Sequence, residues 1–295
     1  MNAVDPSDVA TLSPGSEPAP GYRIIQLLSH GNDLDVYEAW SDGLQAGCIL
    51  KMLREDRVGD EKLTDRLLRE GELLTTLRHP HIVQGYRLLK EPQPMIAMEI
   101  VSGFTLAALL ARRPRLTLRE LAYLGEQVCS AVYYLHHHGV MHFDLKPANI
   151  IAHAGRAKII DLSLAHAPGR GPAGWGTAAY MPPEQARGDE FSSACDVWAI
   201  GQIIYEAAGG LNPFHDARSG SSSGASPVDV WYPQLIRRAA PLNTLRKLPQ
   251  SLREAIDACL EPEADQRPTV DELLVIFRSI QRSGRSRSEA RRPNR

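Results

Sequence analysis

The stretch "HFDLKPANII", His142 to Ile151, places three polar groups at a spacing that suits phosphate chemistry. Asp144 can accept a proton from a hydroxyl group, and Lys146 can neutralise charge on a transferred phosphoryl group. Asn149 offers an amide oxygen to Mg²⁺, a metal that binds oxygen ligands together with substrate phosphates. We therefore expect this segment to form a phosphate-transfer loop.

A second carboxylate is expected to join this loop through a short hairpin. After Asn149, the turn "HAGR" precedes the strand "AKIID", which ends at Asp161. Such a hairpin could bring the Asp161 carboxylate back beside Asn149. An aspartate and an asparagine that converge on one point make a site of the kind that Mg²⁺ takes with phosphates.

Two charged residues in the first part of the chain stand where apolar ones are expected. In "AGCILKML" both faces of an alternating strand are apolar, so Lys51 is expected to be buried and to need a counter-charge. In the next helix, Glu70 lies in an inward stripe of leucines spaced three and four residues apart. An ion pair between Lys51 and Glu70 would satisfy both buried charges, and it would hold the ammonium group toward a ligand phosphate. The alternative is a lysine that reaches the surface and a glutamate at the edge of the stripe.

The elements that must position these residues change character along the chain. Short β-like runs dominate from Tyr22 to Val101, interrupted by one helical segment from about Glu61 to Leu77. Helical patterns dominate beyond Thr105, for example at 118–136 and 197–208. This order predicts an α+β fold with two lobes, a small strand-rich N-lobe and a larger helical C-lobe.

The expected boundaries follow from composition. A Pro- and Ser-rich leader and a basic tail are expected to be disordered, and a Gly/Ser/Pro-rich stretch is expected to be a mobile loop. The predicted parts are the leader 1–20, the body 21–281 with its N-lobe 21–98, hinge 99–103 and C-lobe 104–281, the loop 218–227 and the tail 282–295.

Composition excludes several classes of protein. A net charge of −2 gives no reason to expect nucleic acid as a partner. The four cysteines are far apart, which predicts neither a zinc site nor a disulfide framework. The N-terminus lacks signal-peptide features, and no segment has the roughly 18 uncharged apolar residues of a membrane span, so we expect a cytoplasmic protein. The basic tail is either a solubilising segment or a handle for an acidic partner or a membrane surface.

Taken together, the motifs resemble eukaryotic-type Ser/Thr protein kinases, including bacterial ones, from Tyr22 to Ser279. The matching motifs are His142-Phe143-Asp144-Leu145 with Asn149, "CILK" ending at Lys51, Asp161-Leu162-Ser163, Pro182-Pro183-Glu184, "GTAAYMPPEQ", "DVWAIG" and "DQRP". The resemblance implies a two-lobed kinase fold that uses ATP with Mg²⁺ or Mn²⁺ and phosphorylates Ser or Thr of protein substrates.

The resemblance also implies a role for individual residues. Asp144 resembles the catalytic base, Lys146 the γ-phosphate contact, and Lys51, oriented by Glu70, the ligand of the α- and β-phosphates. The expected ATP contacts are Gly31, Val36, Lys51, Met98 as gatekeeper, Glu99 and Val101 of the hinge, Asn149 and Asp161, with Asn149 and Asp161 as metal ligands. Glu184 and Arg267 resemble a structural ion pair, Asp196 a brace for the catalytic loop, and Thr177 part of the substrate-docking surface.

The glycine-rich loop departs most from the family pattern. Aligned on "VYEA", it offers Ser29, Gly31 and Leu34 where the family has three glycines. Glycines there let backbone N–H groups approach the phosphates closely. We therefore expect Leu34 to loosen the cover over ATP and nucleotide binding to be weaker than in a relative with three glycines.

Two further departures concern regulation. Phe143 replaces the arginine that pairs with a phosphorylated loop residue in most relatives, a non-RD pattern, and 164–176 contains no Ser, Thr or Tyr. We expect Phe143 to pack against apolar side chains and activity not to depend on a phosphate in that loop. Ser163 replaces a glycine and is expected to hinder movement of the Asp161-Leu162-Ser163 segment.

Two alternatives to an active protein kinase stay open. The altered glycine loop and the altered Asp161-Leu162-Ser163 motif favour a pseudokinase scaffold that binds nucleotide or partner proteins, although all six polar site residues are retained. These six are Lys51, Glu70, Asp144, Lys146, Asn149 and Asp161. A kinase of small metabolites is disfavoured by "GTAAYMPPE", which resembles a peptide-docking segment.

Overall fold

The computed structural model describes residues 11–214 and 232–289. The chain divides into two compact units by its internal contacts. The first unit runs to Ser102 and includes Asp161–Ser163, and the second contains Gly103–Ile160 and the chain from Leu164 onward. The prediction of a hinge at 99–103 stays a prediction.

The first unit is built on a five-stranded antiparallel sheet in the order β1-β2-β3-β5-β4. Its strands are β1 (Tyr22–His30), β2 (Leu34–Ser41), β3 (Ala46–Leu53), β4 (Gly85–Leu89) and β5 (Met95–Met98). In the register of the sheet, Lys51 of β3 lies opposite Val36 of β2 and Ile96 of β5. Lys51 is therefore on a central strand, and only 8% of its surface is exposed.

Helix α1 (Glu61–Thr76) packs on this sheet. It begins where the Asp60 side chain accepts hydrogen bonds from the N–H groups of Lys62 and Leu63, which satisfies two donors that lack partners within the helix. Its buried stripe contains Leu67, Glu70, Gly71 and Leu74. The helix predicted for 61–77 is thus present, with its glutamate in the inward face.

Part of the predicted disorder of the leader is wrong. Residues 11–20 have defined contacts with the sheet: Ala19 is buried in the core, and the N–H of Leu12 donates to the Tyr37 hydroxyl at 3.0 Å. The N–H of Gly15 donates to the carbonyl of Ile24 at 2.8 Å. These backbone bonds order a sequence whose composition alone predicts disorder, while residues 1–10 lie outside the described part of the chain.

The second unit is mainly helical. Helix α3 (Leu118–His137) begins with a capping box, in which Thr117 and Glu120 exchange side-chain and backbone hydrogen bonds, and it packs against α7 (Val270–Glu289). The strands of the second unit are β6 (Phe104–Thr105), β7 (Ile150–His153), β8 (Arg156–Ile159), β9 (Gly169–Arg170) and β10 (Glu190–Phe191). The helices of this unit are α2 (Leu106–Arg112), α3 (Leu118–His137), α4 (Pro183–Arg187), α5 (Ser193–Gly209), α6 (Gln250–Cys259) and α7 (Val270–Glu289).

The order of strands and then helices confirms the α+β fold class. Helix α7 continues to Glu289, so the disorder expected from residue 282 is wrong for 282–289. The last six residues, 290–295, and the expected mobile loop at 218–227 lie outside the described residues. No helix within 11–214 or 232–289 is long and apolar enough to cross a membrane.

Candidate active site

Lys51, Glu70 and Asp161 form a charged triad in the first unit. The Lys51 Nζ donates to Glu70 Oε1 at 2.7 Å and to Asp161 Oδ1 at 3.2 Å. Strand β3 presents the lysine, and the inward stripe of α1 presents the glutamate, which is 1% exposed. The ion pair predicted from the sequence is therefore present, and Asp161 joins it as a second carboxylate.

One ammonium group serves two carboxylates in this triad, and the pKa values reflect it. Burial, with a smaller contribution from the Asp161 charge, raises the pKa of Glu70 to about 7 against the opposing effect of Lys51. Burial alone would lower the pKa of Lys51, but Asp161 and Glu70 outweigh it and raise that pKa. Glu70 Oε2 is buried without a hydrogen-bond partner among the described residues. The glutamate is thus the weakly compensated member of the triad.

The hairpin between β1 and β2 carries the glycine-poor loop. Its turn is closed by the Gly31 N–H, which donates to the Leu34 carbonyl at 2.9 Å. Arg54, which is buried, donates to the Gly31 carbonyl at 3.0 Å, and His30 contacts Asp35 at 2.7 Å. These contacts brace a loop that lacks two of the expected glycines. Weaker nucleotide binding stays a prediction.

The residues expected around adenine lie on or just after β5, apart from half-buried Val36 on β2. Met98 is buried at the end of β5. The N–H of Glu99 donates to the Gln84 carbonyl at 2.9 Å, and the Glu99 carboxylate accepts from the Gln84 N–H at 2.7 Å. Gln84 thus fixes the chain at Glu99, and Val101 follows half-buried.

The second unit positions Asp144 and Lys146 around the hydroxyl of Thr177. Lys146 Nζ donates to Asp144 Oδ2 and to Thr177 Oγ1, each at 2.7 Å. The Thr177 hydroxyl donates to Asp144 Oδ1 at 2.7 Å, and its N–H donates to the same oxygen at 2.9 Å. An aliphatic hydroxyl therefore lies between a carboxylate that accepts its hydrogen bond and an ammonium group that donates to its oxygen.

Gly176 makes this approach of Thr177 possible. Its φ of +130° lies in a region that favours glycine. A Cβ at this position would come within 2.8 Å of Gln185 Nε2 and 3.1 Å of the Phe143 carbonyl oxygen. Any larger residue would push the segment that carries Thr177 away from Asp144.

The backbone of the loop at His142 and Phe143 is held by Asp196 of α5. The Asp196 carboxylate, which is fully buried, accepts from the N–H groups of His142 at 2.8 Å and Phe143 at 2.9 Å, and it contacts His136 Nε2 at 2.8 Å. Burial would raise the Asp196 pKa, but the bond to His136 and the nearby histidines outweigh burial and lower it. Asp196 thus braces the loop as expected.

Phe143 adopts a backbone conformation that is rare for a bulky residue. Its φ is +59°, and the conformation is maintained by Asp196 at its N–H and by Gln185, which donates to its carbonyl at 2.7 Å. The ring is 4% exposed and lies 4.4 Å from the His166 ring and 5.6 Å from the Phe191 ring. The expected apolar packing of Phe143 is therefore present.

Replacing Phe143 with alanine is expected to lower the free energy of unfolding by about 3 kcal/mol, because a buried aromatic ring and its neighbours lose their contacts. Denaturant unfolding measures the loss. The matched control is Phe104→Ala, since the Phe104 ring is 52% exposed, and we expect a loss below about 1 kcal/mol. Equal losses in the two variants would contradict the packing role of Phe143.

Asn149 stands at the start of the hairpin formed by β7 and β8. Its Nδ2 donates to the Asp144 carbonyl at 3.0 Å, and its own carbonyl accepts from the Ile160 N–H at 3.0 Å. The predicted hairpin is present. Because the amide nitrogen is engaged by Asp144, the side-chain oxygen is the group suited to a metal.

The candidate ligands fit Mg²⁺ in chemistry. No cluster of three or more His, Cys, Asp or Glu side chains that could hold a metal occurs in the described part of the chain. Mg²⁺ needs no such cage, because it binds one or two protein oxygens together with phosphates and waters. The triad of Lys51, Glu70 and Asp161 has more carboxylates than cations, which favours an added cation beside Asp161.

Glu184 and Arg267 form the expected buried ion pair in the second unit. Arg267 Nη1 and Nη2 donate to the two Glu184 oxygens at 2.6 and 2.9 Å, and further bonds reach the carbonyls of Ala194, Glu261 and Pro262. A bidentate pair with its other donors satisfied is a stable arrangement. It anchors α4 (Pro183–Arg187), the helix that carries Gln185.

Sequence reasoning missed several contacts. Arg54 at Gly31, Gln185 at the Phe143 carbonyl and Arg66 at Ser163 all join residues far apart in sequence. An arginine on a helix or after a strand gives no periodic signal, so no pattern pointed to them. The matching motif "GT" did point to Thr177, but not to its simultaneous contact with Asp144 and Lys146.

Comparison with known proteins identifies the family. A model of the protein kinase domain matches residues 22–276. Serine/threonine-protein kinase PknB of Mycobacterium tuberculosis is 33% identical over 224 residues, which cover 72% of this chain and 34% of that protein. PknB of Mycobacterium leprae is 32% identical over 223 residues, 72% of this chain and 35% of the relative. Serine/threonine-protein kinase PknA of M. tuberculosis is 31% identical over 251 residues, 81% of this chain and 56% of the relative.

The chain spans about a third of the length of the PknB relatives and just over half of PknA. The matched region contains the whole set of site residues described above. Because the family model covers most of the sequence, the chain belongs to the protein kinase domain family, whose members use ATP and a divalent metal.

Proposed function

We propose that this chain transfers the γ-phosphate of ATP to Ser or Thr hydroxyls of protein substrates. The observation that carries the proposal is the pairing of Asp144 and Lys146 around the hydroxyl of Thr177, with contacts of 2.7 Å to each. A substrate hydroxyl presented to the same two groups would meet a proton acceptor and a cation suited to a phosphoryl oxygen. The bacterial relatives are named as Ser/Thr kinases, which supports the same substrate class.

In the proposed reaction, Asp144 accepts the proton of the substrate hydroxyl as its oxygen forms a bond to the γ-phosphorus. The bond between that phosphorus and the leaving oxygen of ADP breaks, and Lys146 stabilises charge on the transferred group. Lys51, held by Glu70, binds the α- and β-phosphates. Asn149 and Asp161 would hold Mg²⁺, which neutralises phosphate charge when bound.

The experiment that tests the substrate class uses labelled ATP with Mg²⁺ and a mixed library of Ser-, Thr- and Tyr-containing peptides. We expect the label on serine and threonine. Label confined to tyrosine would contradict the proposed specificity. Nucleotide binding without any transfer would favour the alternative, a pseudokinase scaffold. The presence of Ser29 and Leu34 where the family has glycines is the feature that favours this alternative.

We also propose that activity does not depend on a phosphate in the segment 164–176 or on its nearby hydroxyl residues Ser163, Thr177 and Tyr180. The segment contains no hydroxyl side chain, and the Phe143 ring occupies a buried aromatic cluster with His166 and Trp175 instead of offering a cation to a phosphate. Phosphatase treatment is therefore expected to leave the transfer rate within about twofold. Mass spectrometry that finds an essential phosphate at Ser163, Thr177 or Tyr180 would contradict this proposal.

A further inference from the structure

Helix α1 contacts the Asp161-Leu162-Ser163 segment at two points one helical turn apart. Arg66 Nε donates to the Ser163 carbonyl at 3.1 Å, and Arg66 Nη2 donates to Ser163 Oγ at 2.9 Å. Four residues later, Glu70 Oε1 accepts from the Leu162 N–H at 3.2 Å. All of these residues belong to the first unit. The segment is therefore attached to the helix through both a cation and a carboxylate.

The same contacts determine the orientation of the Asp161 carboxylate. The Ser163 N–H donates to Asp161 Oδ1 at 2.9 Å, and Lys51 Nζ contacts the same oxygen at 3.2 Å. Arg66 fixes the carbonyl and hydroxyl of Ser163, so it also restrains the N–H that holds Asp161. A displacement of Ser163 would remove its N–H from that oxygen.

The hydroxyl of Ser163 gives this position a contact that glycine could not make. Ser163 is not among the described non-glycine residues with positive φ, which are Gln45, Phe143 and Ala154. A serine is therefore accommodated here without backbone strain. The replacement of glycine adds a charge-assisted hydrogen bond to Arg66, which is a physical basis for the restricted movement expected from the sequence.

We propose that Arg66 and Ser163 form a clamp that fixes Asp161 on helix α1, which makes Arg66 a positioning residue for the carboxylate that holds the metal. This inference rests on the proposed role of Asp161 as a metal ligand. The clamp acts through orientation: it keeps one Asp161 oxygen on Lys51 and the Ser163 N–H. Ser163 therefore helps to position Asp161, and its presence in place of glycine is not a sign of lost activity.

The test measures backbone hydrogen exchange of the 161–163 segment in the ligand-free protein for Arg66→Met, Ser163→Ala and the double variant. Ser163→Ala removes the bond to Oγ and is expected to speed exchange about tenfold, the effect of losing one charge-assisted hydrogen bond. Arg66→Met also removes the bond to the Ser163 carbonyl and should speed exchange at least as much. The double variant is expected to match Arg66→Met, because that change alone already removes both bonds. Arg66→Lys should restore part of the protection.

The matched control is Arg69→Met on the same helix. Arg69 is exposed and donates to the Asp65 carbonyl at 3.3 Å, so its loss should leave exchange of the segment unchanged. Effects of Arg66→Met and Ser163→Ala that multiply in the double variant would overturn the clamp. An equal effect of Arg69→Met would overturn it as well.

A second readout addresses the metal. The dissociation constant of a fluorescent ATP analogue is measured with Mg²⁺ and with a chelator. The clamp predicts that Arg66→Met and Ser163→Ala reduce the tightening by Mg²⁺ about tenfold and leave metal-free binding within twofold. An equal loss with and without Mg²⁺ would overturn the positioning role. No Mg²⁺ dependence in the unaltered protein would overturn the role of Asp161 as a metal ligand, while the exchange data still judge the clamp.

Discussion

Replacing Lys51 with methionine is expected to reduce phosphate transfer at least about 100-fold and to lower the free energy of unfolding by about 3 kcal/mol. The variant keeps an apolar stem of similar length but leaves Glu70 and Asp161 without their shared ammonium group. Breaking a buried ion pair from one side is costly because the remaining charge stays buried. Denaturant unfolding and a labelled-ATP transfer assay measure the two effects.

Glu70→Gln is the matched control for this prediction. It removes the excess carboxylate and leaves Lys51 paired with Asp161 at 3.2 Å. We expect transfer to fall, because Lys51 loses the partner that orients it, while the free energy of unfolding above pH 7 stays within about 1 kcal/mol of the unaltered protein or rises. Equal destabilisation by Lys51→Met and Glu70→Gln would contradict the unequal compensation of the triad.

The raised pKa of Glu70 adds a pH dependence with a definite sign. Burial raises this pKa from 4.5 to about 7, so between these values the folded protein holds a proton that the unfolded chain releases. The contribution of Glu70 to stability is therefore full below about pH 4.5 and is lost as the pH rises through about 7, with a slope of at most about 1.4 kcal/mol per pH unit. Subtracting the pH profile of Glu70→Gln isolates this contribution, and a flat difference would contradict it.

Arg267→Met is expected to lower the free energy of unfolding by about 4 kcal/mol. The Arg267 side chain is fully buried and donates to both oxygens of Glu184, so its removal leaves that carboxylate with an uncompensated charge. Helix α4 should loosen, and with it Gln185, which fixes the Phe143 carbonyl. We therefore expect transfer activity to fall together with stability.

Arg187→Ala provides the comparison for Arg267→Met. Arg187 pairs with Asp189 at 2.7 Å in the same part of the chain, but their side chains are 51% and 54% exposed. Exposed pairs contribute about 0–1 kcal/mol, so the variant should unfold almost as the unaltered protein does. Losses of similar size in both variants, measured by urea denaturation, would show that burial does not decide the strength of the Arg267 pair.

The sequence predicted those parts of the site that follow from periodicity. Lys51 lies in a strand with two apolar faces, and Glu70 lies in an inward helical stripe. Their pairing is therefore predictable from the sequence alone. The hairpin after Asn149 was predictable for the same reason, since the turn "HAGR" separates two strand-like runs. In each case one local pattern determines both the element and the direction of the side chain.

Contacts between distant segments could not be predicted this way. Arg66 and Ser163 are separated by 97 residues, and neither belongs to a pattern that requires the other. Composition alone does not predict the order of 11–20, because that order comes from backbone bonds to β1 and from burial of Ala19. Composition likewise does not predict the helix at 282–289, because α7 starts in an amphipathic segment and continues into basic sequence as far as Glu289.

Asp144→Asn tests the central claim, that this chain is a catalytically complete kinase despite its altered loop and Phe143. In the unaltered protein the Thr177 N–H donates to the Asp144 carboxylate at 2.9 Å, and the amide of the variant keeps an oxygen that can accept this bond. The fold and ATP binding should therefore persist. Loss of the base should slow transfer by about 100- to 10,000-fold. Single-turnover transfer from labelled ATP is measured beside Asp271→Asn, an exposed change on α7. We predict transfer in the unaltered and Asp271→Asn proteins and its loss in Asp144→Asn. Equal transfer in all three proteins would contradict the claim. So would the absence of transfer in the unaltered protein despite bound ATP.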